Sequence, residues 1–509
     1  MAQAADVVFR NAEVHTLTDP DRTAEAVAVR DGRVVRVSDD YESQFLAGAE
    51  TRVVDLDGRV LLPGFVDAHT HMQQLGQYRV HASLGDADEL DEAVTLLAEA
   101  ANPDDEWIIG FGYDESDWPA GRYPTRDDLD RVSETRPVVA FRVDMHSATL
   151  NSAGLERLAE DLPDEHVRTE GGDPTGVVVE RAAEVVWDAL EPAPERVPDL
   201  IEAAIAHAHE HGVTGVHDMV RNSRAPRVYR DMDADGDLAL RVRLHYWSDH
   251  LDAIEELGLR PGHGSEFVRV GAIKTYTDGS IGSRTARVSD PYADAPEEDG
   301  TWVVDPADLR SLVERATDAG HQMTAHAIGD VAIETVLDAY EGRPGDRHRV
   351  EHAELLRDDL LDRFAEVGAV ASMQPNFLQW ADEGGMYDRR LGEERRTMAD
   401  RFSRVLEADV PLAFGSDCMP MDPLYGVDLA VTAPVAEQRL TVTEALRAYT
   451  SGAAYAGFDE DRMGTVERGH LADFVVLERS PWEHEDAIAD IDVAMTVVGG
   501  EVVYDGRND

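Results

Sequence analysis

Eight short apolar runs recur through the chain, most of them closing on polar residues. They are LLPGFVDA (61–68), VTGVHD (213–218), LRVRLHYW (240–247), RVGAIKTY (269–276), QMTAHAI (322–328), HRVEHA (348–353), GAVASMQ (368–374) and PLAFGSD (411–417). Helical segments such as DLRSLVERATDAG and VTEALRAYTSGAAYAGF lie between them. Strands alternating with helices favour a parallel sheet, and eight such units make a (β/α)8 barrel the expected architecture.

The first gap is far too long for a strand-to-helix loop. It has its own strand-like runs, WIIGFGY and PVVAFRV, and reads as an inserted subdomain over the barrel mouth. The two ends of the chain alternate apolar and polar residues in the manner of strands, as in AVAVRDGRVVRVS and VAMTVVGGEVVYDGR. The expected organisation is therefore an α/β chain of four parts. A β-sandwich forms from residues 1–60 and 456–509, the barrel from 61–75 and 199–455, and the insert from 76–198.

The charge is extreme, with 103 acidic residues against 47 basic ones and a formal net charge of -56. No acidic tail accounts for it, so the carboxylates are expected to coat a folded body. Such a surface repels nucleic acid and anionic membranes. Self-repulsion is relieved when molar salt cuts the screening length to about 3 Å, which points to a high-salt cytoplasm. The single cysteine, Cys418, allows no internal disulfide. The N-terminus MAQAADVVFR lacks a signal-peptide pattern, and no apolar run approaches membrane-spanning length. A small-molecule substrate is the expected partner, and a homodimer is a candidate assembly.

The strongest local motif is PGFVDAHTH. Residues two apart on a strand share a face, so Asp67, His69 and His71 project together. At the C-terminal end of a first barrel strand they enter the mouth where barrel active sites sit. His326 in QMTAH, His352 in RVEHA and Asp417 in PLAFGSD close later strands and converge on the same mouth. Several imidazoles and one carboxylate around a pocket suit zinc or a similar divalent ion.

Lys274 is the only lysine, the other 46 basic residues being arginine. A bias against lysine that spares one position implies chemistry that arginine cannot perform. Arginine stays protonated, whereas a buried lysine amine can lose its proton. A neutral amine reacts with carbon dioxide to give a carbamate, whose two oxygens can bridge two metals.

With these residues in place, the chain resembles the amidohydrolase superfamily. It is similar to the family 3 branch that includes N-substituted formamide deformylase-like proteins. The resemblance rests on PGFVDAHTH, DMHSATLNSAGL (144–155), IKTYTDGSIGSRTA (273–286), HAIGD (326–330), VEHAE (350–354), QPNF (374–377), GSDCMP (415–420) and GTVERGHLADFVVLE (464–478). It implies that His69, His71 and Asp417 hold one metal, that His326 and His352 hold a second, and that carboxylated Lys274 bridges them. One ion or two, zinc first, is the expected cofactor. His146 and Asn151 become candidates for substrate contact, although Met145 stands where the family usually has glycine. His217 and Arg284 are further substrate candidates, the first on a strand end and the second as a partner for a carboxylate. Tyr113, Asp114 and Trp118 of the insert are hints to specificity.

The implied activity is hydrolysis of non-peptide carbon–nitrogen bonds, in N-acyl, N-formyl or cyclic amides, by a metal-bound hydroxide. Asp417 would move the proton. Two other readings use the same fold: an esterase, lactonase, phosphotriesterase or deaminase on the same metal site, and a non-catalytic regulatory protein.

Overall fold

The computed structural model describes residues 4–508, apart from 86, 104, 116–117 and 144–146. Compactness separates two units, Met1–Met72 with Ile205–Asp509, and Gln73–Ala204.

The first unit contains the barrel. Its strands are β1 (Phe65–Thr70), β2 (Val213–Val220), β3 (Arg241–Trp247), β4 (Val268–Tyr276), β5 (Met323–Ala327), β6 (Arg349–His352), β7 (Val370–Met373) and β8 (Leu412–Phe414). All eight expected strands are present, and each pairs in parallel with the next in chain order. The ring closes where the backbone N–H of Asp417 donates to the His69 carbonyl at 2.7 Å. Gly415 permits this closure, because a Cβ there would lie 2.4 Å from the His69 nitrogen. Most strands are buried along their whole length, as parallel strands between helices must be.

The run LLPGFVDA is two strands rather than one. Val60–Pro63 pairs antiparallel with Phe474–Leu477, and only after Gly64 does the chain enter the barrel at Phe65. The barrel therefore starts a few residues later than position 61.

Two sheets contain both chain ends. One has four strands, with Val7–Arg10 between Ala26–Arg30 and Arg52–Asp55, and Arg33–Ser38 at the edge. The other has six and joins Glu13–His15 and Val60–Pro63 to Phe474–Leu477, Val493–Val498 and Glu501–Asp505. One apolar core, with Phe9, Val27, Leu61, Phe474, Val476 and Val497 fully buried, unites the two faces as a sandwich. Arg241 at the start of β3 grips Asp473 with two hydrogen bonds of 3.0 and 2.9 Å, tying the barrel floor to the C-terminal strands.

The second unit is built on a six-stranded mixed sheet that includes Ile108–Tyr113, Val138–Arg142 and Ser147–Leu150. Apolar clusters cover both faces of it, one around Leu97 and Leu129 and one around Phe141 and Val186. Among the described residues, no helix is long and apolar enough to cross a membrane.

Candidate metal centre

Strand alternation puts Asp67 and His69 of β1 on the barrel interior, with His71 just past the strand end. The Asp67 carboxylate is fully buried and accepts from the backbone N–H groups of His69 and Ser416, each at 3.0 Å, and from the Ser416 hydroxyl. Burial pushes this carboxyl up to about 7. Its role is to pin β1 to the β8 loop, which sets His69 opposite Asp417.

His69 Nε2 lies 3.6 Å, and His71 Nε2 3.3 Å, from Asp417 Oδ1. Ligand-type atoms of His69, His352 and Asp417 all fall within 4.8 Å of one another. The His352 ring is centred 4.9 Å from that of His69 and 4.5 Å from that of His326. Lys274, on β4, is buried with its Nζ 5.5 Å from the Tyr276 ring and 6.0 Å from the Trp247 ring. The structure thus brings His69, His71, His326, His352, Lys274 and Asp417 to one end of the barrel.

The hydrogen bonds of the imidazoles leave particular nitrogens bare. Nδ1 of His69 donates to the Glu351 carboxylate at 2.6 Å. Nδ1 of His71 faces the Met219 carbonyl at 3.1 Å. In His69 the tautomer so fixed presents an unprotonated Nε2 toward Asp417. His326 Nε2 faces the Gly279 carbonyl at 3.0 Å, which leaves its Nδ1 bare. Nδ1 of His352 is buried with no hydrogen-bond partner among the described residues. Buried imidazoles with free lone pairs, beside a carboxylate, fit a divalent cation.

The electrostatics agree. Burial, helped by the Lys274 charge, pushes His69 down to about 4 and His326 to about 3, so both are neutral at pH 7. His352 is held well below the ordinary histidine value, by burial and then by His326. Burial lowers Lys274 to about 8, which raises its neutral fraction at pH 7 by orders of magnitude. Burial alone would raise the Asp417 carboxyl, but the hydrogen bond with His71 brings it below the usual carboxylate range.

Two ligand positions depend on backbone strain. In β6, Arg349 and Glu351 point inward, so regular alternation would turn His352 out. His352 instead adopts φ 70° and Ala353 φ 50°, which swings the imidazole back toward the mouth. Asp417 has φ 53° and Cys418 φ 55°. Non-glycine residues in this region cost about 1–3 kcal/mol each, and such strain concentrates at functional sites. Cys418 is buried beside Asp417, as its size suggests.

Sequence reasoning missed the layer beneath the ligands. Glu351 and Arg349 are completely buried and ion-paired at 2.8 Å. Arg349 also donates to His217 Nδ1 at 2.8 Å, to the Ala68 carbonyl at 2.6 Å and to Ser372 at 2.8 Å. Thr324 completes the set by donating to Glu351. The alternation in RVEHA, which puts Arg349 and Glu351 on one face two apart, is the signal that could have found them.

The substrate candidates fare differently. His217 is buried in the barrel interior, accepts from Arg349 and stacks at 5.2 Å on His245, so it supports the ligand layer instead of facing a substrate. Asn151 has every polar position filled. Its Oδ1 accepts from the backbone N–H of Val138 and Gly154, and its Nδ2 donates to the Ser133 and Arg136 carbonyls. It is a buried helix cap, with nothing left for a substrate. Arg284 is paired with Asp294 through two hydrogen bonds of 2.9 and 2.8 Å, the structural alternative to a substrate carboxylate. His146 lies outside the described residues. Tyr113 and Trp118 are core residues of the second unit, and Asp114 pairs with Arg142 at 3.0 Å.

Known proteins are similar to this chain over nearly its whole length. The chain is 30% identical to the Bacillus subtilis protein YtcJ, over 98% of this chain and 99% of that one. It is 27% identical to the N-substituted formamide deformylase of Arthrobacter pascens, over 99% of each. The crystal structure of an uncharacterized metal-dependent hydrolase from Pyrococcus furiosus superposes with a TM-score of 0.81 at 31% identity, covering 94% of this chain and 99% of that one. A model of the amidohydrolase family matches residues 52–504. This barrel, with its convergent imidazoles, Lys274 and Asp417, belongs to the amidohydrolase family of metal-dependent hydrolases.

Proposed function

We propose that this enzyme hydrolyses a non-peptide carbon–nitrogen bond in an N-acyl, N-formyl or cyclic amide. The observation that carries the reading is the intact cluster of His69, His71, His326, His352, Lys274 and Asp417, supported from behind by Glu351 and Arg349. The likeness to a formamide deformylase over 99% of both chains supports the substrate class.

In this reading His69, His71 and Asp417 would hold one divalent ion, zinc first, and His326 and His352 would hold a second. Lys274, as its carbamate, would supply a further anionic ligand. Such an ion supplies Lewis acidity and lowers the pKa of water to about 7. Asp417 takes the proton of the attacking water as its oxygen bonds to the carbonyl carbon. When the carbon–nitrogen bond breaks, Asp417 returns that proton to the departing amine. Glu351 holds the tautomer of His69 throughout. The Tyr276 ring is centred 4.5 Å from that of His326, and Phe377 stacks at 6.0 Å on His352, so aromatic rings pack against two of the ligand imidazoles.

The surface charge supports a high-salt cytoplasm as the setting. The test of function is a panel of N-substituted formamides, N-acyl amides and cyclic amides, beside matched esters and lactones, with zinc- or manganese-loaded protein. Amide turnover that is lost on chelation and restored by metal is expected. Faster ester or lactone turnover across the panel would replace this reading with an esterase on the same site.

A further inference from the structure

A second group of metal-ligating side chains lies outside the barrel mouth. Helix α1 (Val197–Glu210) leads into β2, and its last turn has His207 and Glu210, with His211 immediately after it. Ligand-type atoms of these three residues lie within 4.8 Å of one another. The positions i, i+3 and i+4 fall on one helical face, so the convergence follows from helix geometry. The two imidazole rings are centred 4.1 Å apart, and Glu210 approaches His207 Nδ1 at 3.9 Å.

We propose that His207, Glu210 and His211 form a second, independent site for a borderline divalent cation of the zinc, nickel or copper class. Three features support the assignment. First, His211 Nδ1 donates to the His207 carbonyl at 2.9 Å. That bond holds the ring and leaves Nε2 bare, the orientation found in metal-ligating histidines whose other nitrogen faces a carbonyl. Second, two imidazoles and one carboxylate are the ligand types such ions select over calcium or magnesium. Third, the site is at the C-terminal end of a helix of 14 residues, where the helix dipole favours a cation. Glu210 is half exposed, so an ion can enter from solvent, and three protein ligands leave room for water in the remaining position. An ion held here would clamp residue 211 to the preceding turn, just before β2 begins at Val213.

The experiment is equilibrium dialysis of the full-length, zinc-loaded protein against nickel ion, run in parallel on wild type, His211→Ala and Glu210→Gln. His207 is buried and is left unchanged so that folding is preserved. Wild type is expected to take up one more ion per chain than His211→Ala, with affinity weakened roughly 10- to 100-fold in Glu210→Gln. Hydrolytic turnover should be the same in all three. The melting temperature should rise with added nickel in wild type but not in His211→Ala. Equal uptake and affinity in the three proteins would overturn the site. Turnover lost together with the extra ion would also overturn it, since the ion would then belong to the barrel.

Discussion

His69 Nδ1 donates to the Glu351 carboxylate at 2.6 Å, and that bond decides which nitrogen of His69 faces Asp417. Glu351 is itself held by Arg349, whose guanidinium is entirely buried among β1, β2, β6 and β7. Glu351→Gln should therefore weaken metal affinity by roughly 10- to 100-fold, because a neutral amide oxygen holds the imidazole N–H less strongly than a carboxylate. Competition against a graded chelator measures this. Unchanged affinity would show that the tautomer of His69 is set by something else.

Arg349→Met would strand Glu351 as an uncompensated buried charge. Breaking one side of such a pair costs about 3–5 kcal/mol. Urea unfolding should show that loss, and the double variant Arg349→Met with Glu351→Leu should recover part of it. A single variant as stable as wild type would mean that Glu351 is neutral in the fold.

Lys274→Arg preserves the charge and roughly the size yet removes the amine that can form a carbamate. Turnover and bound metal should both collapse, as followed by kinetics and elemental analysis of the same sample. Near-wild-type activity would remove Lys274 from the metal centre, whatever its burial.

His217 and His245 both lie inside the barrel and are held well below the ordinary histidine value, chiefly by burial and then by Arg349. Each binds its proton more readily when unfolded, so the sign is fixed. Their stabilising effect is full above the unfolded value of about 6.5 and falls as pH drops below it. Thermal melts in a series from pH 8 to about pH 5 should show stability declining below about pH 6.5. The slope should be shallower in His245→Leu. Stability that is flat through this range would exclude the effect.

Stability should also depend on salt. With a net charge of -56, raising the salt from about 0.1 M to about 1 M shortens the screening length from about 10 Å to about 3 Å and should raise the melting temperature. A chloride salt with a non-coordinating cation is the proper titrant. Equal melting temperatures across the series would argue against a high-salt setting.

Much of this fold is legible in the chain itself. Each barrel strand appears as a short apolar run, since a parallel strand is buried on both faces and needs apolar residues along its length. The composition singled out Lys274 because one lysine among 47 basic residues stands out without any structure. The histidines were readable because each closes a strand and all strand ends of a barrel meet.

Other features were decided only by tertiary structure. Asn151 sits in a motif that suggests substrate contact, yet packing spends all its hydrogen bonds on Ser133, Arg136, Val138 and Gly154. Arg349 and Glu351 read as ordinary charges until the closed barrel leaves them no water and forces them to pair. His352 turns inward only through a left-handed backbone, which strand alternation would not predict. The physical reason is common to all three. Sequence records which groups a residue offers, while partners, solvent exclusion and local strain are settled only when distant segments close around it.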